Sequence, residues 1–152
     1  MKKLVSLAGL AAVMSLVVVA LAPAAQRAKT YTVNASLNSR QETPRPKRAV
    51  TARGSFTGTY VENKTGAVLK WKLTFTRLTG SATAAHIHSG KRGVAGPVIV
   101  PLCGPCKSGR TGTTKISKAV VETLEKNGAY VNVHTAKNAG GEIRGQVSVK
   151  ED

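Results

Sequence analysis

Leu69-Lys70-Trp71-Lys72-Leu73-Thr74-Phe75-Thr76 decides the fold class. Apolar and polar residues alternate without a break. In an extended strand every second side chain shares a face, so Leu69, Trp71, Leu73 and Phe75 form one face and the lysines and threonines the other. A strand with one dry and one wet face belongs to an antiparallel sheet, because parallel sheets are covered on both sides. The pattern spans residues 67–78. Just upstream, Glu62-Asn63-Lys64-Thr65-Gly66 carries turn chemistry. Phe56, Gly58 and Tyr60, alternating with threonines, therefore form the other arm of a hairpin.

Working outward, Tyr31, Val33, Ala35 and Leu37 give a first strand with the same period. Asn38 to Arg53, with Pro44, Pro46 and a bunch of basic residues, reads as a long exposed loop. Leu78-Thr79-Gly80 turns the chain into a strand through Ala85-His86-Ile87-His88. Ser89 to Pro97 is a Gly-rich loop, and Val98 to Leu102 a short strand that Pro101 places at an edge or an end. Cys103 to Gly109 reads as another loop. Ser117 can cap, and Gly128 end, a short helix whose apolar positions are Val120, Leu124 and Ile116. Val131-Asn132-Val133-His134-Thr135 is again a strand. The last strand, Gly141 to Val149, places Ile143, Val147 and Val149 inward and Glu142, Arg144 and Gln146 outward. Seven short strands and one short α-helix predict an all-β fold, an antiparallel Greek-key β-sandwich or barrel.

Residues 1–25 read as a secretory signal. Lys2 and Lys3 precede an apolar run from Leu4 to Leu21, and Ala22-Pro23-Ala24 offers a cleavage site. An uncleaved membrane anchor is the alternative, since the run is near the lower limit for spanning. Residues 26–152 then form a single domain, secreted or held in the periplasm or cell envelope. The formal charge is +16. Such a surface suits anionic envelope polymers or a membrane surface, or it simply keeps the protein soluble. Aromatic residues are too few for a base-stacking platform, so no specific nucleic acid is expected. Cys103 and Cys106 are the only cysteines. In an exported protein a structural disulfide between them is the leading reading. Redox exchange of the thioredoxin kind lacks the βαβ setting that would activate the thiol, and soft-metal ligation is the third reading.

All three histidines of the chain, His86, His88 and His134, lie in two of these strands. His86 and His88 share a face, with Ile87 opposite; Asn132 and His134 share a face, with Val131 and Val133 opposite. If the aliphatic residues enter the core, the imidazoles face outward and can converge on a transition metal. Asn132, Thr135, Glu142 and Arg144 are candidate supporting groups that could orient imidazoles or attract an anion. The competing reading is structural, with histidines bonded to nearby loops. No nucleophile elbow, phosphate-cradling loop or paired catalytic carboxylates are present.

The segments His86-Ile87-His88-Ser89-Gly90, Gly96-Pro97-Val98-Ile99-Val100, Gly128 to Thr135 and Gly140-Gly141-Glu142-Ile143-Arg144-Gly145-Gln146 resemble, in this order, the CHRD domain, named for its occurrence in chordin. The resemblance covers about residues 30–149 and implies a β-sandwich in an extracellular setting. A weaker resemblance is to the copper/zinc superoxide dismutase sandwich, in which a His-x-His strand and a later histidine supply copper ligands. It would give those roles to His86, His88 and His134. The chain departs from that family in having no fourth histidine and no aspartate except Asp152. Any site is therefore mononuclear, with copper expected ahead of zinc. The functional expectation is a secreted metal-binding CHRD module. The alternatives are a metal-free interaction or structural domain with a basic surface, and a superoxide dismutase-like redox enzyme.

Overall fold

A computed structural model describes residues 28–46 and 51–152. The signal predicted for residues 1–25 and the basic residues Lys47 and Arg48 lie outside the described residues. Nine strands are present among them: β1 Thr30–Asn38, β2 Arg53–Asn63, β3 Gly66–Thr76, β4 Ala82–Ser89, β5 Val98–Cys103, β6 Arg110–Ser117, β7 Ala129–Thr135, β8 Asn138–Gln146 and β9 Ser148–Glu151. Helix α1 spans Lys118–Glu125 between β6 and β7. All pairings are antiparallel, and they run in the order β5-β4-β7-β8-β1-β2-β3-β6. The two end strands leave a nearly closed barrel or sandwich, an all-β fold with one helix.

The alternation in β3 does what its period demands. Leu69, Trp71 and Leu73 are buried, while Lys70 and Lys72 are exposed. Trp71 lies opposite Gly58 on one neighbouring strand and Gly112 on the other. A Cβ on Gly112 would collide with the indole ring, so glycine there makes room for the largest side chain of the core. Its indole N–H donates to the Thr114 hydroxyl at 3.1 Å. The two halves meet where β1 contacts β8 at Asn38 and Arg144. The chain itself then crosses over at Val147, so β8 pairs β7 and β9 pairs β1.

Four sequence expectations need correction. Ile116 does not belong to the helix: Arg110–Ser117 forms strand β6, although Thr111, Gly112, Thr113 and Thr114 give it no apolar alternation. Gly141 to Val149 is two strands, and Glu142 and Arg144 are buried at 0% and 1% exposure. The stretch Asn38 to Arg53 is not one exposed loop: Ser39–Gln41 forms a 3-10 turn, Glu42 is buried and Arg53 begins β2. Ser117 does cap α1, but the helix buries Val121 with Leu124, and the left-handed residue at its end is Asn127, φ 53°, not Gly128.

Ile87, Val131 and Val133 are fully buried in the core. Their strand neighbours His86, His88 and His134 therefore point away from it. That outer face is not open. Loop 90–97 and the Gln41-Glu42 segment lie over it, bonded to Tyr130, Asn132 and Gln146. Arg144, which alternates outward in β8 and donates to the Lys91 carbonyl, is buried for this reason.

Candidate metal centre

In an antiparallel pair, cross-strand neighbours have their Cβ atoms within about 5.5 Å. Strand β4 pairs β7 with His86 opposite Asn132 and His88 opposite Tyr130, while His134 lies opposite Ala84. One face of this pair therefore gathers all three imidazoles. The ladders are irregular there. β4–β5 shifts register between Ala85 and His86 and again between Ile87 and His88. β7–β8 shifts between Val133 and Thr135. Such shifts re-aim side chains and often border functional sites.

The ligand atoms of His86, His88 and His134 lie within 4.8 Å of one another. Their tautomers follow from the acceptors around them. His88 Nδ1 is 2.9 Å from the Gly96 carbonyl oxygen, and His134 Nδ1 is 2.8 Å from that of Ala139. A carbonyl oxygen only accepts, so each neutral ring carries its proton on Nδ1 and leaves a lone pair on Nε2. His88 Nε2 is buried without a hydrogen-bond partner. His134 Nε2 stands 3.2 Å from His86 Nδ1. Adjacent tetrahedral ligands with metal–nitrogen bonds of about 2.0–2.1 Å are about 3.3 Å apart, so this gap is also a metal's bite.

Burial lowers the pKa of His86, and the neighbouring His134 and His88 lower it further. Burial also lowers that of His88, against the Gly96 hydrogen bond, with His134 and Arg144 adding to the drop. These two rings are thus neutral, the ligating form, at neutral pH. The three side chains can hold one metal ion.

The four supporting candidates divide into two groups, and none of them bonds an imidazole directly. Glu142 accepts from the Thr135 hydroxyl at 2.6 Å, from the Thr79 N–H and hydroxyl at 2.6 Å each, and from Asn138 at 2.9 Å. Burial works to raise its pKa, but these bonds to the carboxylate outweigh it and the net shift is downward. The cluster fixes the β7–β8 hairpin that presents the Ala139 carbonyl. Asn132 donates to the buried Glu42 carboxylate at 2.8 Å. Arg144 places its guanidinium 3.3 Å from the centroid of Tyr130 and donates to the Lys91 carbonyl at 2.9 Å.

Tyr130 and Glu42 do not emerge from the sequence as site residues. Tyr130 stacks on His88, ring centroids 4.9 Å apart and planes 11° from parallel. Because β7 lies between β4 and β8, Tyr130 is held between His88 and Arg144. Its hydroxyl accepts from the Gly96 N–H at 3.2 Å and donates to the Gly96 carbonyl at 3.4 Å. Its spacing from Asn132 and His134, two and four residues, was the available signal for a shared face. Glu42 comes from a loop with no periodicity and gave none.

Cys103 and Cys106 form a disulfide at the end of β5, and Cys106 N–H donates to the Ala82 carbonyl at 3.1 Å. It braces the edge next to the histidine strand.

A family model of the CHRD domain matches residues 33–147. No curated protein and no solved structure matches the chain.

Proposed function

This chain belongs to the CHRD-domain family, and from that premise we propose that it is an exported module binding one transition-metal ion through His86, His88 and His134. Copper is the favoured metal, because an all-imidazole set ranks it above zinc in affinity. In this reading residues 1–25 direct export and residues 26–152 form the functional unit in the cell envelope or outside it. The observation that carries the proposal is the pair of carbonyls, Gly96 and Ala139, that occupy Nδ1 of two rings and so put their lone pairs on Nε2, that of His88 without a partner and that of His134 3.2 Å from His86 Nδ1. Tyr130 and Arg144 hold the plane of His88, and the Glu142 cluster holds the hairpin behind His134.

Copper titration of the purified protein, followed by electron paramagnetic resonance, tests this. One equivalent bound with nitrogen hyperfine structure, and lost in a His86→Ala/His88→Ala variant, is the expected result. Zinc at equal concentration should fail to displace it. Absence of stoichiometric binding favours a second reading, a metal-free interaction module. That reading draws support from the 3.2 Å contact between His86 and His134, which a shared proton satisfies without a metal.

A further inference from the structure

The far side of the sandwich carries a feature unrelated to the histidines. On the outer face of the β1-β2-β3-β6 half, register aligns Thr32, Thr59, Lys70 and Thr113 in one row across four strands. The next row aligns Asn34, Thr57, Lys72 and Thr111. All but the half-buried Thr32 are exposed, and the two rows line one shallow trough. Rows follow each other about 6.8 Å along the strands, and strands stand about 4.8 Å apart. Lys115 extends β3's lysine pair on β6, and Arg53 lies on the same face of β2.

Among the described residues Lys70 and Lys72 are unpaired; the carboxylate on this face is Asp152, at the end of the first row, where it accepts from the Thr32 hydroxyl at 2.9 Å. A solvated sheet usually sets opposite charges across from one another. Here β2, β3 and β6 put no carboxylate next to Lys70 or Lys72, and neither lysine joins any ion pair among the described residues. Hydroxyl and amide side chains, each able to donate and accept, flank the two ammonium groups on both sides.

We infer that this face binds a linear carboxylated glycan, with Lys70 and Lys72 meeting carboxylates and the threonine rows meeting ring hydroxyls. The face itself selects among polyanions. It projects no aromatic side chain on which a nucleobase could stack. Its large exposed apolar residues, Val61 and Val68, sit at one end and give little to insert into a bilayer. Its central cations are lysines, point charges that can meet single carboxylate oxygens spaced along a chain without the bidentate geometry of an arginine fork.

The test is a titration of the purified protein with a uronic acid hexasaccharide at low salt, read by calorimetry and by amide chemical shifts. Binding is expected with shifts confined to β1, β2, β3 and β6. Lys70→Gln/Lys72→Gln should weaken it about tenfold, whereas Lys107→Gln/Lys126→Gln, which removes the same charge elsewhere, should change it by less than about twofold. Thr57→Val/Thr113→Val keeps every charge and should weaken binding about threefold. Equal losses in the two lysine pairs would show a net-charge effect and overturn the site. No loss on removing the hydroxyls would overturn the glycan assignment. Tighter binding to single-stranded nucleic acid or to anionic phosphatidylglycerol vesicles than to the hexasaccharide would do the same.

Discussion

His86 Nδ1 stands 3.2 Å from His134 Nε2, across the β4–β7 ladder. Two imidazoles at this separation share a proton or a metal ion, since bare lone pairs facing each other repel. His134 has its Nδ1 bound to Ala139, so the second lone pair in the gap is fixed by the backbone. Removing the ring in His134→Ala should reduce copper affinity by at least about a hundredfold, the loss of one of three ligands. The half-exposed ring contributes little to the core, so the thermal midpoint should move little. A competition titration against a chelator of known affinity checks the first outcome and calorimetry the second.

Tyr130 separates orientation from ligation. Its ring fills the space between His88 and Arg144, and its hydroxyl clamps Gly96. Tyr130→Phe keeps the stack and loses the clamp, which should cost about 1 kcal/mol. Tyr130→Ala removes the stack as well and should cost about 3–5 kcal/mol. Both variants keep all three histidines. Copper should still bind to the Phe variant, with an altered resonance spectrum because the Gly96 carbonyl no longer holds His88 in one plane. Chemical denaturation and electron paramagnetic resonance read the two effects separately.

Two buried glutamates give opposite pH responses. Burial pushes Glu42 up to about 7, against the opposing influence of Arg144 and hydrogen bonds from Thr43 and Asn132. A carboxyl with a raised folded pKa holds more protons folded than unfolded. Its contribution is therefore full below its ordinary range and is lost as pH rises toward 7, about 3 kcal/mol at most. Glu142 has a lowered pKa, so its contribution is present above the ordinary carboxylate range and lost in acid. His86 and His88, also lowered, lose stability as pH falls through the ordinary histidine range and so oppose Glu42. Comparison with Glu42→Gln isolates the contribution of this carboxyl. From pH 5 to 8 the stability of wild type should fall relative to that of the variant, as measured by urea denaturation at each pH. A constant difference across that range would exclude the raised pKa.

The strand period made much of this legible. Leu69, Trp71 and Leu73 announced an antiparallel sheet, and Ile87, Val131 and Val133 announced which way the histidines point. The single face that gathers His86, His88 and His134 follows from that alternation. What the sequence hid is equally specific. Strand β6 has threonine and glycine where alternation would show, so only the register with β3 reveals it. Glu142 and Arg144 alternate outward as expected, yet they are buried: the loop carrying Lys91 covers Arg144, and Thr79, Thr135 and Asn138 close around Glu142. Nothing in Gln41-Glu42 signals that this segment bonds to Asn132 and Gln146. The carbonyl partners of the imidazoles belong to the backbone of Gly96 and Ala139, and backbone atoms carry no residue-type signature.

Gly141 ties the covering segment to the site and gives a sharp comparison with its neighbour. Its φ of +132° lies in a region that side chains rarely adopt. A Cβ there would also collide with the Asn132 amide nitrogen and lie 2.6 Å from Glu42 Oε1. Gly140, one residue earlier, has nothing within 4 Å of its Cβ position and no left-handed φ. Gly141→Ala should therefore destabilise the fold by about 3 kcal/mol or more, combining backbone strain with displacement of a buried hydrogen-bonded pair. Gly140→Ala should stay within about 0.5 kcal/mol of wild type. The carbonyl of Ala139 lies two residues earlier in β8, so Gly141→Ala should weaken copper binding too, although it touches no ligand. Thermal melts of both variants, with and without one equivalent of copper, give the result. Equal tolerance of alanine at the two positions would mean that the Glu42–Asn132 pair is not packed against Gly141.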